Sequence, residues 1–456
     1  MSNQVNDLIP TVLIVGGGIG GLMLSAILES AGISYHILER ATEYRPLGSA
    51  MVVTGNILPV FEQLGIYEDL KSVSMPHIST DVYDMDLRKL GGLGSKGHKI
   101  ACGYDVFTIS RPKLYDVILR KVPAYKISMG KKVLRTEEHD NKVTVYCFDN
   151  TEYEGRILVG ADGAYSAVRQ DMYKKLEGED RLPTCDKDDF SIGYISTVGV
   201  ASFPNAEKYP ELSDDRVHFR MVIGNNNDSA GVVTGPNNQI CWGLQVQVEE
   251  SVAREQHFGS SGWGPEAVEA MLQEFENFPC ALGGTMKDIF ETTPRNLISK
   301  VFLEEKVFQT WHNGRSVLMG DACHKMLPGG GQGAVTAMKD AVVLANCIYN
   351  MSDISDQSIN TAFENYYRQR YSEAEEMLRQ SAQFSKIMHG HKWTERLLRV
   401  FTLKYAPDWL MQIVSNNSVA NRPQINWLPL VEMRGSGQVL PQEGREETEK
   451  KARSVQ

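Results

Sequence analysis

Thr11-Val12-Leu13-Ile14-Val15-Gly16-Gly17-Gly18-Ile19-Gly20-Gly21 is the stretch that decides the fold, and Leu22 to Glu39 completes its meaning. Thr11 to Val15 is a short apolar run rich in β-branched residues, as in a parallel strand buried on both faces. Gly16, Gly18 and Gly21 follow in G-x-G-x-x-G spacing, with Gly20 beside them. The first glycine permits a tight turn and the second lets a pyrophosphate approach the backbone. The third lets a helix pack closely on the strand, with its N-terminal N–H groups facing the anion. Gly20 to Ala31 has helical spacing at Leu22, Ala26, Ile27 and Ser30, and Gly32 stops it. Ile33 to Leu38 reads as the next strand, and Glu39 ends it where a carboxylate can accept both ribose hydroxyl hydrogens. Strand, glycines, helix, strand and acid together predict a β-α-β dinucleotide unit. Arg40, Arg45 and Gly48 extend it, Arg45 reading equally as a cofactor contact or as solvated surface.

Far along the chain, Ser316 to Met319 reads as another buried strand. It runs into Gly320-Asp321-Ala322-Cys323-His324-Lys325-Met326-Leu327-Pro328-Gly329-Gly330-Gly331-Gln332-Gly333. One glycine turn suggests some nucleotide; two so far apart suggest one long cofactor gripped at both ends, which points to FAD. Asp321 follows the strand, a good place for a carboxylate to meet ribityl hydroxyls. Pro328, Gly331 and Gly333 leave a bare backbone, and a helix begins at Ala334 and Val335, with N–H dipoles that would face a flavin carbonyl. His324 is a catalytic candidate, although a packed or solvated histidine explains it as well. Cys323 reads as a small core residue. Between the two motifs, Gly160-Ala161-Asp162-Gly163 places a carboxylate at a strand end, where it can hold backbone or ribose; alone, it would read as a turn.

The 456 residues, 42% of them hydrophobic and 23% charged, suit two interlocked domains. A net charge of −10 argues against a nucleic-acid partner. The seven cysteines form no C-x-x-C pair, so neither a disulfide framework nor a metal site is expected. No secretory signal, membrane-length apolar run or usual peroxisomal ending is visible, so a cytoplasmic location is the default.

Lys131 to Tyr153 reads as strands turning near Asp140-Asn141, and Arg156 to Val159 as another strand. Arg216 to Glu249 reads as an antiparallel meander, in which His218, Arg220 and Val222 share one face and Val217, Phe219 and Met221 the other. Long helices are predicted over Phe363–Met388 and Trp393–Val414, and the charged tail is expected to be disordered. The expected fold class is therefore mixed α/β (α+β), with a Rossmann-like FAD-binding domain and an inserted antiparallel substrate domain. The FAD-binding domain would comprise 1–80, 101–180 and 290–365. The substrate domain would comprise 81–100 and 181–289, with a helical region over 366–433 and a tail over 434–456.

These three motifs, in this order, resemble the class A flavoprotein monooxygenases of the para-hydroxybenzoate hydroxylase type. Glu39-Arg40 and the Gly329–Gly333 glycines resemble fungal enzymes that hydroxylate or epoxidise terpenoid and indole-type metabolites. The resemblance gives Arg111, in Ile109-Ser110-Arg111-Pro112, the role of reaching the flavin. It implies FAD reduced by NADPH or NADH without a separate nicotinamide domain, then O2 activation as a flavin C4a-hydroperoxide. It also implies a small aromatic, indole or terpenoid-like substrate. Val335 stands where the family usually has Asn, and Lys339 where it has an acid, which puts one cofactor contact and one local salt bridge in question. Two alternatives share the cofactor fold: a halogenase or double-bond reductase, and a non-catalytic binder of the Rab GDP-dissociation-inhibitor type. A halogenase would usually carry W-x-W-x-I-P, and Trp242 and Trp263 stand alone. Substrate identity, hydroxylation against epoxidation, NADPH against NADH and oligomeric state stay open.

Overall fold

The computed structural model describes residues 9–44, 50–249, 251, 265–329, 331–389 and 393–444. Arg45 and Gly48 therefore lie outside the described residues. The fold is the expected α/β mixture, built on one parallel and one largely antiparallel sheet.

The Val12–Val15 strand sits at the centre of a six-stranded sheet. In order, the strands are His312–Asn313, Ser316–Leu318, Ile157–Gly160, Val12–Val15, Tyr35–Leu38 and Ile127–Ser128. All pair in parallel except the first two. The helix expected after the glycines spans Ile19–Ser30 and buries nine of its residues, as a crossover helix between parallel strands must. Gly32 then turns the chain with φ +68°. The hairpin expected near Asp140-Asn141 forms between Val133–His139 and Lys142–Cys147, with His139 opposite Lys142.

The large sheet holds ten strands, with the meander Val217–Ile223, Asp228–Gly235 and Gln239–Gln247 at its middle, antiparallel as expected. It also draws strands from outside the expected substrate segments. Ala50–Val53, Met75–Tyr83 and Phe107–Ser110 complete one end, although residues 1–80 and 101–180 were expected in the cofactor domain. Ser299–Val307, expected in the same domain, pairs with Ser191–Ser202. Strand pairing ignores chain order. Once a segment's apolar residues match an open edge, its backbone groups must find partners there.

The second predicted helix is interrupted. Trp393–Val400 gives way to a π turn over Phe401–Tyr405, and a further helix starts at Asp408. Pro407 cannot continue a helix. The tail is also corrected: Arg434 to Gly444 is docked. Ser436 and Gly437 donate N–H bonds to the Ile100 and Ala101 carbonyls, and Arg434 pairs with Glu62 at 2.8 Å. These bonds join segments too distant in sequence for composition to anticipate.

Candidate functional site

The first glycine turn is fixed by backbone contact. Gly16 has φ +106°, and a Cβ added there would lie 2.3 Å from the Ala161 carbonyl oxygen. A Cβ on Gly21 would lie 2.1 Å from the Gly16 carbonyl oxygen. A Cβ on Gly18 would meet nothing within 4 Å. Gly18 is also the N-cap of the Ile19–Ser30 helix, and no side chain caps it. The backbone there faces open space, with the uncapped N–H groups an anion would use. Glu39 already works for the turn. One carboxylate oxygen accepts the Gly17 N–H at 2.7 Å and the other the Ala41 N–H at 2.8 Å. Each oxygen keeps a second lone-pair site for a ribose hydroxyl. Arg40 is exposed beside it.

The distant motifs converge on this turn. Gly20 packs on Met319 and Ala337, a Cβ there falling 3.3 Å from each. Gly320 has φ +61° and also faces Ala337. The strand before Glu39 and the strand before Gly320 are separated by two others, so the two ends lie about 14 Å apart across the sheet. A ligand touching both must be long. Asp162 sits between them. Its Oδ2 accepts the Ala167 N–H at 2.7 Å, while its Oδ1 is buried without a partner. Burial raises the Asp162 carboxyl from its ordinary value, against the hydrogen bonds from Ser166 and the backbone.

The Gly333–Tyr349 helix also starts without a side-chain cap, and a Cβ on Gly333 would meet nothing within 4 Å. Gly331, at φ +66°, faces Val52, whose strand partner Thr108 lies just before Arg111. Arg111 is exposed at the first turn of the Arg111–Leu119 helix, on the same edge. Pro328 is exposed, while Asp321 is half-buried and pairs with Lys325 at 3.3 Å. Two bare helix N-termini, an orphaned carboxylate oxygen between them and a carboxylate at each end fit an extended dinucleotide carrying a flavin.

The candidate His324 does not reach this space. It is 1% exposed, lies under Trp311 and binds Asp340 at 2.6 Å through Nε2. A histidine so enclosed positions its neighbours. Cys323 is buried too, and burial raises its thiol well above the usual range. Cys323, His324 and Asp340 come close enough to hold an ion. Asp340 is, however, already committed: it accepts the Gly320 N–H at 3.0 Å and Arg370 Nε at 2.7 Å.

Sequence reasoning missed Asp340 and Arg370. Burial opposes ionisation of Asp340, but the His324 and Arg370 charges prevail and hold its carboxyl at about 2. Arg370 and Lys339 both pair with Glu373, so the departure at Lys339 is answered by a half-buried acid from the next helix. Val335, the other departure, is core, 1% exposed. Arg169 was also missed. Its guanidinium donates to the Ala164 and Ala322 carbonyls at 2.6 and 2.7 Å and ties the second motif to the third. The available signal was a charged pair, Lys339-Asp340, in an otherwise apolar helical run: buried charges need partners.

The FAD binding domain family matches residues 10–194 and 282–381, more than half of the chain. The chain belongs to that family. It is an FAD-dependent monooxygenase, which sets aside the non-catalytic binder. The enzyme is 28% identical to the FAD-dependent monooxygenase esdpE of Penicillium shearii, covering 92% of this chain and 86% of that protein. It is 27% identical to ausM of Aspergillus calidoustus, covering 93% and 90%. These relatives are of the fungal secondary-metabolite type. Among solved structures, Klebsiella pneumoniae HpxO complexed with FAD and uric acid aligns with TM-score 0.73 at 20% identity, over 90% of this chain and 97% of that one. The 2,6-dihydroxypyridine-3-hydroxylase of Arthrobacter nicotinovorans aligns with TM-score 0.67 at 17% identity, over 94% and 99%. Both share the fold.

Beyond the Glu39 strand, at the opposite sheet edge from Gly320, a cleft of about 590 Å³ lies between Tyr44, Arg120 and Ile127. The meander's two faces are also resolved. His218 binds Asp214, Arg220 binds Glu211 and Val222 enters the substrate-sheet core. Phe219 and Met221 point the other way. Met221 packs with Val82, Phe384, Met388 and Leu403.

Proposed function

We propose that the enzyme uses NAD(P)H and O2 to hydroxylate or epoxidise a small, largely apolar aromatic, indole or terpenoid-like metabolite. The observation that carries this is the convergence of two uncapped helix N-termini beside an apolar sheet face. When bound, FAD supplies the redox chemistry, accepting reducing equivalents from NAD(P)H and activating O2 at C4a. The protein's own residues bind, orient and exclude water.

In this reading, Gly16, Gly18, Gly20 and Gly21 form the pyrophosphate turn, with Gly18 the point of closest approach. Glu39, Arg40 and Gly48 serve the adenosine end, and the Tyr44 cleft lies beside Glu39. Asp162 offers its unpartnered Oδ1 from the middle and Asp321 meets the ribityl chain. Pro328, Gly331, Gly333, Ala334 and Val335 form the wall beneath the flavin, where helix N–H dipoles favour negative charge on the ring. Arg111 approaches from the facing edge. Phe219 and Met221, with Val233 and Cys241 beside them by strand register, make the substrate wall. Burial pushes the Cys241 thiol up to about 11, so it stays a neutral, apolar lining group. The Asp340 network holds Gly320 in place and contacts no reactant.

The test is substrate-stimulated NADPH or NADH oxidation by the FAD-loaded protein, run under labelled O2. Label in the product supports oxygen insertion. A halogenated or reduced product without label would select the halogenase or double-bond reductase instead.

A further inference from the structure

Among the described residues, exposed large hydrophobics concentrate in one segment of the chain. Trp393, Leu397, Leu398, Val400, Phe401, Tyr405, Trp409, Ile413 and Val414 account for nine of twenty-two. The outermost are Trp393, 76% exposed, Trp409, 65%, and Leu397 and Tyr405, each 62%. Single exposed apolar residues are ordinary; a contiguous set marks a contact surface.

The face is presented by a held element. Leu403 is buried against Val82 and Ile223. Gly91 lies so close beneath it that an added Cβ would fall 2.3 Å from the Leu403 carbonyl oxygen. The following helix, Asp408–Ser418, has no buried residue. It rests on the Lys96–Cys102 helix through a Gln412 bond to the Gly97 carbonyl at 3.1 Å. Ile100, on that supporting helix, is 46% exposed.

We propose that this broken helical pair, residues 393–418, docks flat on a lipid surface. Its charge pattern suits lipid: Lys96, Arg396 and Lys404 are exposed at the margin of the apolar side chains, where they can meet anionic headgroups. Against them stand exposed Asp408 and half-buried Glu395. The result is a weakly basic rim on a chain of net charge −10. Tryptophan, tyrosine and one leucine at the outermost positions, further leucine and phenylalanine between them and lysine or arginine at the margin describe an interfacial helix. No helix among the described residues is long and apolar enough to cross a membrane, so the mode is lying on the surface. Docking stands independently of the reaction proposed above. If the substrate wall is as assigned, Leu403 places the lipid surface at its roof, suited to an apolar ligand that partitions into lipid.

The experiment is flotation of the FAD-loaded full chain with vesicles of phosphatidylcholine alone and of phosphatidylcholine mixed with phosphatidylserine. The expected result is flotation with both, several-fold stronger with the anionic lipid because each basic residue near the surface adds attraction. Substituting Trp393→Ser, Leu397→Ser and Trp409→Ser together should reduce partitioning by on the order of a hundredfold, each losing a large apolar group. The bound flavin spectrum should be unchanged. A blue shift and bromolipid quenching of wild-type tryptophan fluorescence provide the same reading if that variant fails to fold. Wild-type protein that does not float overturns the proposal. So does a concentration-dependent dimer, seen without lipid and abolished by the same substitutions, which would assign the face to a second copy of the chain.

Discussion

Gly18→Ala separates the folding role of the glycine turn from its cofactor role. Gly18 has φ −72° and ψ −178°, a conformation alanine adopts freely, and an added Cβ meets nothing within 4 Å. Two small effects oppose each other in the protein without cofactor. Alanine reduces the freedom of the unfolded chain, a gain of about 0.4–1 kcal/mol. It is also a poorer N-cap than glycine, a loss of about 1 kcal/mol. Urea unfolding should therefore show a net change within about 1 kcal/mol of the parent. FAD binding should suffer more. A methyl over the uncapped N–H groups would cost a charge-assisted hydrogen bond of about 1.5–3 kcal/mol. That is on the order of a ten- to hundredfold weaker Kd by flavin fluorescence titration. Gly21→Ala is the contrast. Its Cβ would lie 2.1 Å from the Gly16 carbonyl oxygen, so the backbone must move and stability should fall by about 1–3 kcal/mol or more before any cofactor is added. A Gly18→Ala protein that binds FAD within about twofold of the parent would refute the placement of the pyrophosphate. An unliganded stability loss matching that of Gly21→Ala would refute the reading of Gly18 as sterically free.

Asp340→Ala should destabilise the enzyme by about 3–5 kcal/mol in denaturant unfolding, because it leaves buried Arg370 without its 2.7 Å partner. Lys339→Glu, which restores the family's acid, should also destabilise, since a new buried carboxyl would then stand beside buried Asp340 and half-buried Glu373; pairing it with Glu373→Lys should recover part of the loss. His98 gives a pH dependence. Burial, then the Arg422 charge, lowers its imidazole from 6.5 to about 4, and Nε2 accepts the Gly55 N–H at 3.0 Å. The unfolded chain binds this proton first, so stability is full above about pH 6.5 and falls by roughly 3 kcal/mol as pH drops towards 4. His98→Gln should flatten that part of the stability profile. Deleting residues 434–456 should lower the urea midpoint, since Ser436 and Gly437 are bonded to Ile100 and Ala101; an unchanged midpoint would show that this docking contributes nothing.

The sequence by itself determined the elements whose causes are local. Thr11 to Glu39 reads correctly because glycine spacing, a buried strand and helical periodicity all act within one β-α-β unit, and the turn at Asp140-Asn141 is equally local. The strand leading to Gly320 and the meander were legible for the same reason. Tertiary structure alone decided what depends on distant partners. It joined Ser299–Val307 and Ala50–Val53 to the large sheet and broke the last predicted helix around Pro407. It also docked residues 434–444, which composition alone marks as solvated. It turned His324 from a catalytic candidate into a partner of Asp340, and revealed Arg169 and Arg370 as the ties beneath the site. A histidine's role is set by what surrounds it, and a buried charge is tolerated only where its partner stands. Here those partners come from segments that only the folded chain brings together.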